Sequence, residues 1–433
     1  MPRPHEPRLL ILSQYFPPEM GAPQVRLSEL GERLLDRGWA VEVLTALPNY
    51  PTGRVFPGYA KLRPVVEEVG RLRTVRVPLW PSKTGFAKRL VSYFTFAGAA
   101  ALWGPGRCRT PDLLWVESPP LFIGYAARHL SWRWRRPYVL NVSDLWPESA
   151  IRMGIVREGF LTRRAQDLER SLYEHAAGVT GQSREIVEAV ARTSPGTPTR
   201  LITNGVDPRR FGPEHADDEA RALLGAGGGR PGPVFLYAGL LGWAQGLDQV
   251  LDLAKTLPPE VPGRFVLVGD GPERERLLAR LETEGIDRVT ILPAQPRERI
   301  PALLGAADAA IITLGMAIPG AVPSKIYEAM ASALPILLVA GGEPARRVED
   351  AGAGLAVPAG DADALRDAFL RLAENPDLRA ELGAAARRTA ETTYDRDVIA
   401  DQLHDFLSGL LETRSGRRGS APERRLRPHD PPS

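Results

Sequence analysis

Two Rossmann-like α/β domains with parallel sheets facing a central cleft are what this sequence predicts, on three observations. Short apolar runs of strand length alternate with amphipathic helical patterns along most of the chain, which argues for parallel sheets covered on both faces. The alternation comes in two series, separated by the polar, glycine-rich segment 207–233. At 433 residues the chain is long enough to fill two hydrophobic cores. Ligands of such sheets bind beyond the carboxyl ends of the strands, so two sets of strand ends are expected to share one groove.

The first series reads as strands at 9–13, 40–45, 74–77, 113–117, 138–142, 178–181 and 199–202. The second reads as strands at 234–238, 264–268, 289–292, 309–313, 336–340 and 354–357. Amphipathic helices are expected between them, among others at 24–37, 184–193, 246–256, 272–284 and 362–373. After the second series, Val398, Ile399, Leu403, Phe406, Leu407, Leu410 and Leu411 recur at helical spacing and predict a terminal amphipathic helix. The expected division is therefore an N-terminal domain over 1–206, a C-terminal domain over 207–393 and a helix over 394–411. Residues 412–433, rich in Arg, Pro, Ser and Gly with almost no apolar anchor, are expected to form a disordered basic tail.

Composition excludes several classes. The hydrophobic share of 43% and charged share of 25% are those of an ordinary globular protein. A formal charge of +3 gives nucleic-acid binding no support at this size. Cys108 stands alone, so no internal disulfide framework exists, and a reducing compartment fits. The six histidines are scattered, none at metal-ligand spacing, so no metal site is expected. The opening apolar run Leu9-Leu10-Ile11-Leu12 is too short for a signal core, which makes the cytoplasm the default location.

Chemistry concentrates in a few segments. PSKIYEAMAS, 323–332, reads as a helix start with Ser324 as N-cap, Lys325 in the first turn and Glu328 one turn later on the same face. A helix N-terminus attracts anions, and a lysine there strengthens the field. With the loop Ala340-Gly341-Gly342-Glu343 nearby, the pattern suits a nucleoside diphosphate; an ordinary surface helix with a Lys–Glu pair also fits. Gly239, Gly242 and Gly246 punctuate a strand-to-helix loop where bare backbone lets phosphate oxygens approach. Gly269-Asp270-Gly271 fails as a dinucleotide fingerprint, because Arg274 occupies the third glycine position, and reads equally as a simple turn. Asn204-Gly205 reads as an interdomain hinge.

In order and spacing, Asn-Gly-Val-Asp at 204–207, the Gly239 loop, Val-Gly-Asp-Gly-Pro-Glu at 268–273 and Ser-Lys-Ile-Tyr-Glu-Ala-Met-Ala at 324–331 resemble the C-terminal half of family 4 glycosyltransferases of the GT-B fold. The N-terminal half is similar to a narrower subgroup acting on aminosugars in bacterial surface-polysaccharide (O-antigen or colanic-acid-like) assembly. Its markers are QYFPPEMGAPQVRLSELGERL, TALPNYPTG, ESPPLFIG and VSDLWPESA. The resemblance implies that the terminal helix returns to the N-terminal domain. It also implies metal-independent transfer, with retention of configuration, from a nucleotide sugar, commonly UDP-linked, to a lipid-linked or glycan acceptor. Glu328 would hold the ribose, and Lys325 with the N–H groups around Gly21 and Gly239 would neutralise the diphosphate. Gly341, Gly342 and Glu343 would lie beside the phosphates or the transferred sugar. Arg26, one turn into the first helix, would reach the diphosphate or acceptor unless it is a solvated helix-face arginine. Asp144 is the expected catalytic acid or base of the N-terminal half, beside Lys325 and Glu328 as catalytic candidates, with Glu148 close by.

Three departures stand out. The first glutamate of the family's paired motif falls at Gly320, and the two phosphate-loop cations fall at Leu240 and Gln245. The missing cations leave a non-catalytic nucleotide-sugar-binding module as one alternative; a nucleotide-sugar 2-epimerase, an enzyme class that also uses two Rossmann-like domains, is another. Finally, KRLVSYFTFAGAAALW at 88–103 is too short to span a bilayer, while Trp132-Arg133-Trp134-Arg135-Arg136 interleaves indoles with guanidinium groups. Together with the resemblance they predict peripheral binding at the inner face of the cytoplasmic membrane. A buried helix followed by a charged strand edge fits the same residues.

Overall fold

The computed structural model describes residues 6–59, 62–82, 85–152, 154, 156–225, 231–315 and 319–419. The N-terminal strands are β1 (Arg8–Leu12), β2 (Ala40–Ala46), β3 (Val65–Val69), β4 (Leu72–Val77), β5 (Leu113–Ser118), β6 (Tyr138–Val142), β7 (Gly178–Gly181) and β8 (Thr199–Leu201). They form an eight-stranded sheet in the order β3-β4-β2-β1-β5-β6-β7-β8. All pairs are parallel except β3 with β4. The C-terminal strands are β9 (Val234–Ala238), β10 (Arg264–Val268), β11 (Val289–Leu292), β12 (Ala309–Thr313), β13 (Ile336–Val339) and β14 (Gly354–Val357). They form a six-stranded parallel sheet in the order β11-β10-β9-β12-β13-β14.

Among the parallel strands each order reverses direction once, between β1 and β5 in the first sheet and between β9 and β12 in the second. Strand ends at such switch points splay apart and leave a crevice. The N-terminal sheet is buried on both faces, as the two-residue repeat of a strand requires. Leu10, Leu12, Leu44 and Val116 face Phe96, Ala100 and Leu130 on one side. Leu9, Ile11, Val43 and Trp115 face Leu27, Leu30 and Leu34 of the first helix on the other.

That second face is completed from the far end of the chain. The terminal helix, Arg396–Gly419, packs on the first helix, Ala22–Asp36, and buries Ile399, Leu403 and Leu407 there. Arg33 and Arg37 pair with Asp397 and Asp401 at 2.9 and 2.6 Å, and the Trp39 indole donates to His404 at 3.0 Å. The two chain crossings lie side by side, since Val206 donates to Tyr394 O at 2.8 Å and Arg396 to Val206 O at 2.9 Å. Gly205 has φ 62, and a Cβ there would fall 2.2 Å from Ile399 Cδ1. Only glycine fits between the crossings.

Three expectations need correction, and the dividing segment gains detail. The terminal helix runs to Gly419 instead of stopping at 411, so 412–419 are helical and not disordered; 420–433 lie outside the described residues. The segment 207–233 holds two short 3-10 turns and the helix Asp218–Gly225. The Trp132–Arg136 stretch ends the helix Ile123–Trp134, with Arg135 left-handed at φ 56, and forms no strand edge. Pro323 stands at the cap position of the Ser324–Ala331 helix, and Ser324 makes no capping hydrogen bond.

Candidate active site in the interdomain cleft

Lys325 occupies the switch point of the second sheet. Strand β9 ends at Ala238, and Gly239 follows with φ 150. A Cβ on Gly239 would lie 2.3 Å from Lys325 Cε and 2.7 Å from its Nζ. The lysine therefore crosses the loop where only glycine leaves room. Its ammonium stands 5.1 Å from the centroid of the Tyr237 ring, whose hydroxyl donates to Leu240 O at 2.7 Å. Burial lowers the lysine's pKa, and the field of Glu328 opposes that shift. No ion pair involves Lys325 among the described residues, so its charge is available to an anion.

Glu328, one turn on, is half-buried and accepts no side-chain hydrogen bond among the described residues. Burial raises its pKa, against the positive fields of Lys325, Arg297, Arg396 and Arg210. An open carboxylate flanked by cations is suited to accept from a neutral diol.

The Gly239 loop owes its shape to its neighbours. Gly239 N donates to Val268 O and Leu241 N to Asp270 O, each at 2.9 Å. A Cβ on Gly269 would collide with Gly239 O, and one on Gly271 with Leu241 O. Gly269-Asp270-Gly271 is thus a close backbone packing turn, as its broken fingerprint allows. It also follows that Gly239 offers space, its own N–H being spent.

In the N-terminal half, a cavity of about 720 Å³ opens at the β1/β5 switch point. Gly21 lines it at the start of the first helix, with Gln24, Tyr15, Arg89, Glu117 and Asp144. Asp144 Oδ2 accepts from Ser149 Oγ at 2.9 Å, while its buried Oδ1 has no partner. Burial raises the Asp144 pKa. A carboxylate with one unpartnered oxygen and a raised pKa at a cavity wall is the physical profile of a functional acid or base. Glu148 instead is half-buried and pairs with Arg152 at 2.5 Å.

Two expected site residues are already engaged. Arg26 is neither on a solvated face nor open to a diphosphate. At 2% exposure it donates to Asn204 Oδ1 at 2.8 Å, Glu117 Oε1 at 2.7 Å and Ser143 Oγ at 3.1 Å. Its role is to brace the hinge residue Asn204 against the wall of the N-terminal cavity. Glu343 is 3% exposed and accepts from Arg347, from Arg346 at 3.3 Å and from Arg184 N at 3.2 Å. Although burial opposes its charge, Arg347 and the Arg184 N–H hold the Glu343 carboxyl below its usual range.

Arg184 belongs to the other domain, so Glu343 joins the domains. Around it, Arg184 meets Asp350 at 3.2 Å, and Glu185 meets Arg346 at 2.7 Å and Gly320 N at 2.7 Å. Gly341 and Gly342 line a second cavity of about 290 Å³ at this junction, with Glu185, Arg152, Pro319 and Ala321. Sequence reasoning missed Glu185, because nothing along the chain signals a carboxylate that serves the opposite domain.

Two doubly wound domains, with cavities beyond the strand ends of each and a terminal helix that returns from the second to the first, define a GT-B architecture. Comparison with known proteins agrees. The glycosyl transferase 4-like domain matches residues 21–205, and the glycosyl transferases group 1 family matches residues 229–389. The chain belongs to these glycosyltransferases and is an enzyme of that class. It is 27% identical, over 75% of its length and 81% of the relative's, to WcaI of Escherichia coli (strain K12), named for colanic acid biosynthesis. It is 26% identical, over 93% and 94%, to the 2-deoxystreptamine N-acetyl-D-glucosaminyltransferase of Streptomyces fradiae. Among solved structures, the sucrose-phosphate synthase of Thermosynechococcus elongatus shares the fold with a TM-score of 0.74 at 21% identity, covering 94% of this chain and all of the other. Anabaena Alr3699/HepE, solved with UDP, does so at 0.69 and 20%, covering 93% and 100%.

Proposed function

We propose that this glycosyltransferase moves an N-acetylated or deoxy aminosugar from a UDP-linked donor to a lipid-linked or glycan acceptor, with retention of configuration, in cell-surface polysaccharide assembly. The observation that carries the reading is the unpaired Lys325 ammonium lying across Gly239 at the β9 switch point. A cation fixed there before substrate arrives stabilises a departing diphosphate without reorganising, the usual source of large electrostatic rate terms. Glu328 accepts from the ribose hydroxyls. The acceptor enters the N-terminal cavity, where the unpaired Oδ1 of Asp144 receives or orients its hydroxyl. The rest of the protein's contribution is positioning. The aminosugar and polysaccharide assignments draw on the names of the two relatives, and the uridine assignment on the UDP in the HepE structure.

The same reading places the enzyme at the inner face of the cytoplasmic membrane. No helix among the described residues is long and apolar enough to cross a bilayer. However, Val91, Phe94 and Leu102 of the helix Phe86–Arg107 expose 48, 46 and 72% of their area, and Trp132 of the adjoining helix exposes 74%. Cations at Lys88, Arg89 and Arg133 complete a surface suited to anionic headgroups.

The test of the reaction is product analysis with a panel of nucleotide sugars. Release of the nucleoside diphosphate together with a glycosylated acceptor is expected. An isomerised donor, or binding without turnover, contradicts the proposal.

A further inference from the structure

We propose that Glu185, carried by the N-terminal domain, supplies the carboxylate that the Gly320 loop lacks, and that it accepts hydrogen bonds from hydroxyls of the donor's sugar when the domains are closed. The inference rests on the donor reading above and extends it to a residue outside the C-terminal domain.

The Gly320 loop has no room for an acid of its own. Gly320 has φ 72, a region that side chains rarely adopt. A Cβ there would fall 2.6 Å from Ile186 Cγ1 and 2.8 Å from Ser183 Oγ. What fills the space is the amino end of the helix Arg184–Thr193, which Ser183 caps by accepting from Ile186 N at 3.2 Å. Its first turn carries Glu185 into the junction. One oxygen accepts from Gly320 N and the other from Arg346, each at 2.7 Å.

Those two contacts do not saturate the group. A carboxylate offers about four acceptor directions, and Glu185 retains 30% of its exposure. The free part faces the cavity of about 290 Å³ whose walls include Leu314 and Ala340, just past the ends of β12 and β13. Strand β12 is the neighbour of β9, so this cavity adjoins the Lys325–Gly239 position along the row of strand ends. Its volume is at the lower limit of the ~300–1,000 Å³ of small-molecule sites, enough for one sugar ring beside a diphosphate held elsewhere. Gly341 and Gly342 keep its floor bare, and a Cβ on Gly342 would already touch Glu185 Oε1 at 3.4 Å. The two domains each provide one side of this contact, Glu185 from the first and Gly320 with Arg346 from the second.

The competing role is that of a mere latch, which Arg346 shares. The discriminating quantity is the ratio of affinities for UDP-sugar and for bare UDP, measured by calorimetry on the full chain once the sugar is known from the panel. Glu185→Ala is expected to lower that ratio by about tenfold to a hundredfold, the size of a lost hydrogen bond to a charged group, with UDP affinity little changed. Glu185→Gln, which keeps an acceptor for Gly320 N, should fold normally and lower the ratio less. Arg346→Ala removes the ion pair but not the carboxylate, and should leave the ratio as in the unmodified protein. Equal loss of both ligands in Glu185→Ala, reproduced by Arg346→Ala, overturns the assignment in favour of a latch. Failure of the unmodified protein to bind any nucleotide sugar overturns the donor reading and this inference together.

Discussion

Lys325 and Asp144 are both held in surroundings that resist their charge, since burial lowers the pKa of the lysine and raises that of the aspartate. For Lys325, removal of the ammonium in Lys325→Ala should reduce turnover by on the order of a hundredfold, the cost of one charge-stabilising donor at a developing anion. Asp144 makes the same point through pH. Its folded pKa lies above the ordinary aspartate value, so the folded state holds its proton longer than the unfolded state as pH rises. Stability is therefore lost, not gained, as pH climbs from the ordinary aspartate value through the raised one. Asp144→Asn removes that penalty. It should melt higher than the unmodified protein at neutral pH, with the difference closing on acidification, while transfer activity falls. A variant that loses both stability and activity at neutral pH would make Asp144 structural instead. Neither environment is visible in sequence order: Lys325 is shaped by Gly239 and Tyr237, some ninety residues earlier, and the unpaired Oδ1 of Asp144 depends on packing.

Among the elements, buried parallel strands were the most legible, because both faces are covered and each reads as a continuous apolar run. Twelve of the pattern's thirteen strands lie within a residue of their expected ends, and the thirteenth, β4, starts two residues early, at Leu72. Strand β3 was missed for a physical reason. Its sequence VVEEV lies at the sheet edge with solvent on one side, so neither continuous burial nor strict alternation marks it. The terminal helix was legible only as far as its last apolar pair, Leu410 and Leu411. Beyond them the sequence over 412–419 carries no apolar residue whose spacing would mark a helix. Arg26 shows the same limit differently. Its sequence neighbourhood leaves both a cleft arginine and a solvated helix-face arginine open, because its actual partners, Glu117 and Asn204, are 91 and 178 residues away. Removing it strands a carboxylate that is only 4% exposed. Arg26→Ala should therefore cost about 3–5 kcal/mol in chemical denaturation, the penalty for breaking a buried pair from one side. A loss under about 1 kcal/mol, the worth of a surface pair, would contradict the bracing role.

At the scale of the whole molecule, the terminal helix and the paired crossings at Gly205 and Tyr394 make one hinge, and Arg184, Glu343 and Arg346 tie the two domains beside it, lining one pocket with Thr203 and Tyr394. The sequence predicted the two lobes and the hinge, but not the ionic contacts between lobes, which have no periodic signature. The apolar surface around Phe94 and Trp132 predicts flotation with anionic liposomes. Phe94→Ser combined with Trp132→Ser should lower the floated fraction, and added salt should lower it further through the cations. Full retention of the unmodified protein in the bottom fraction would contradict peripheral binding.

In the proposed function, Lys325 grips the diphosphate and Glu328 the ribose of one donor. Calorimetric titration of uridine, UMP and UDP into the unmodified protein, Lys325→Ala and Glu328→Gln tests it most directly. Lys325→Ala should weaken UDP far more than uridine, whereas Glu328→Gln should weaken all three alike. Unchanged UDP affinity in Lys325→Ala would contradict the account.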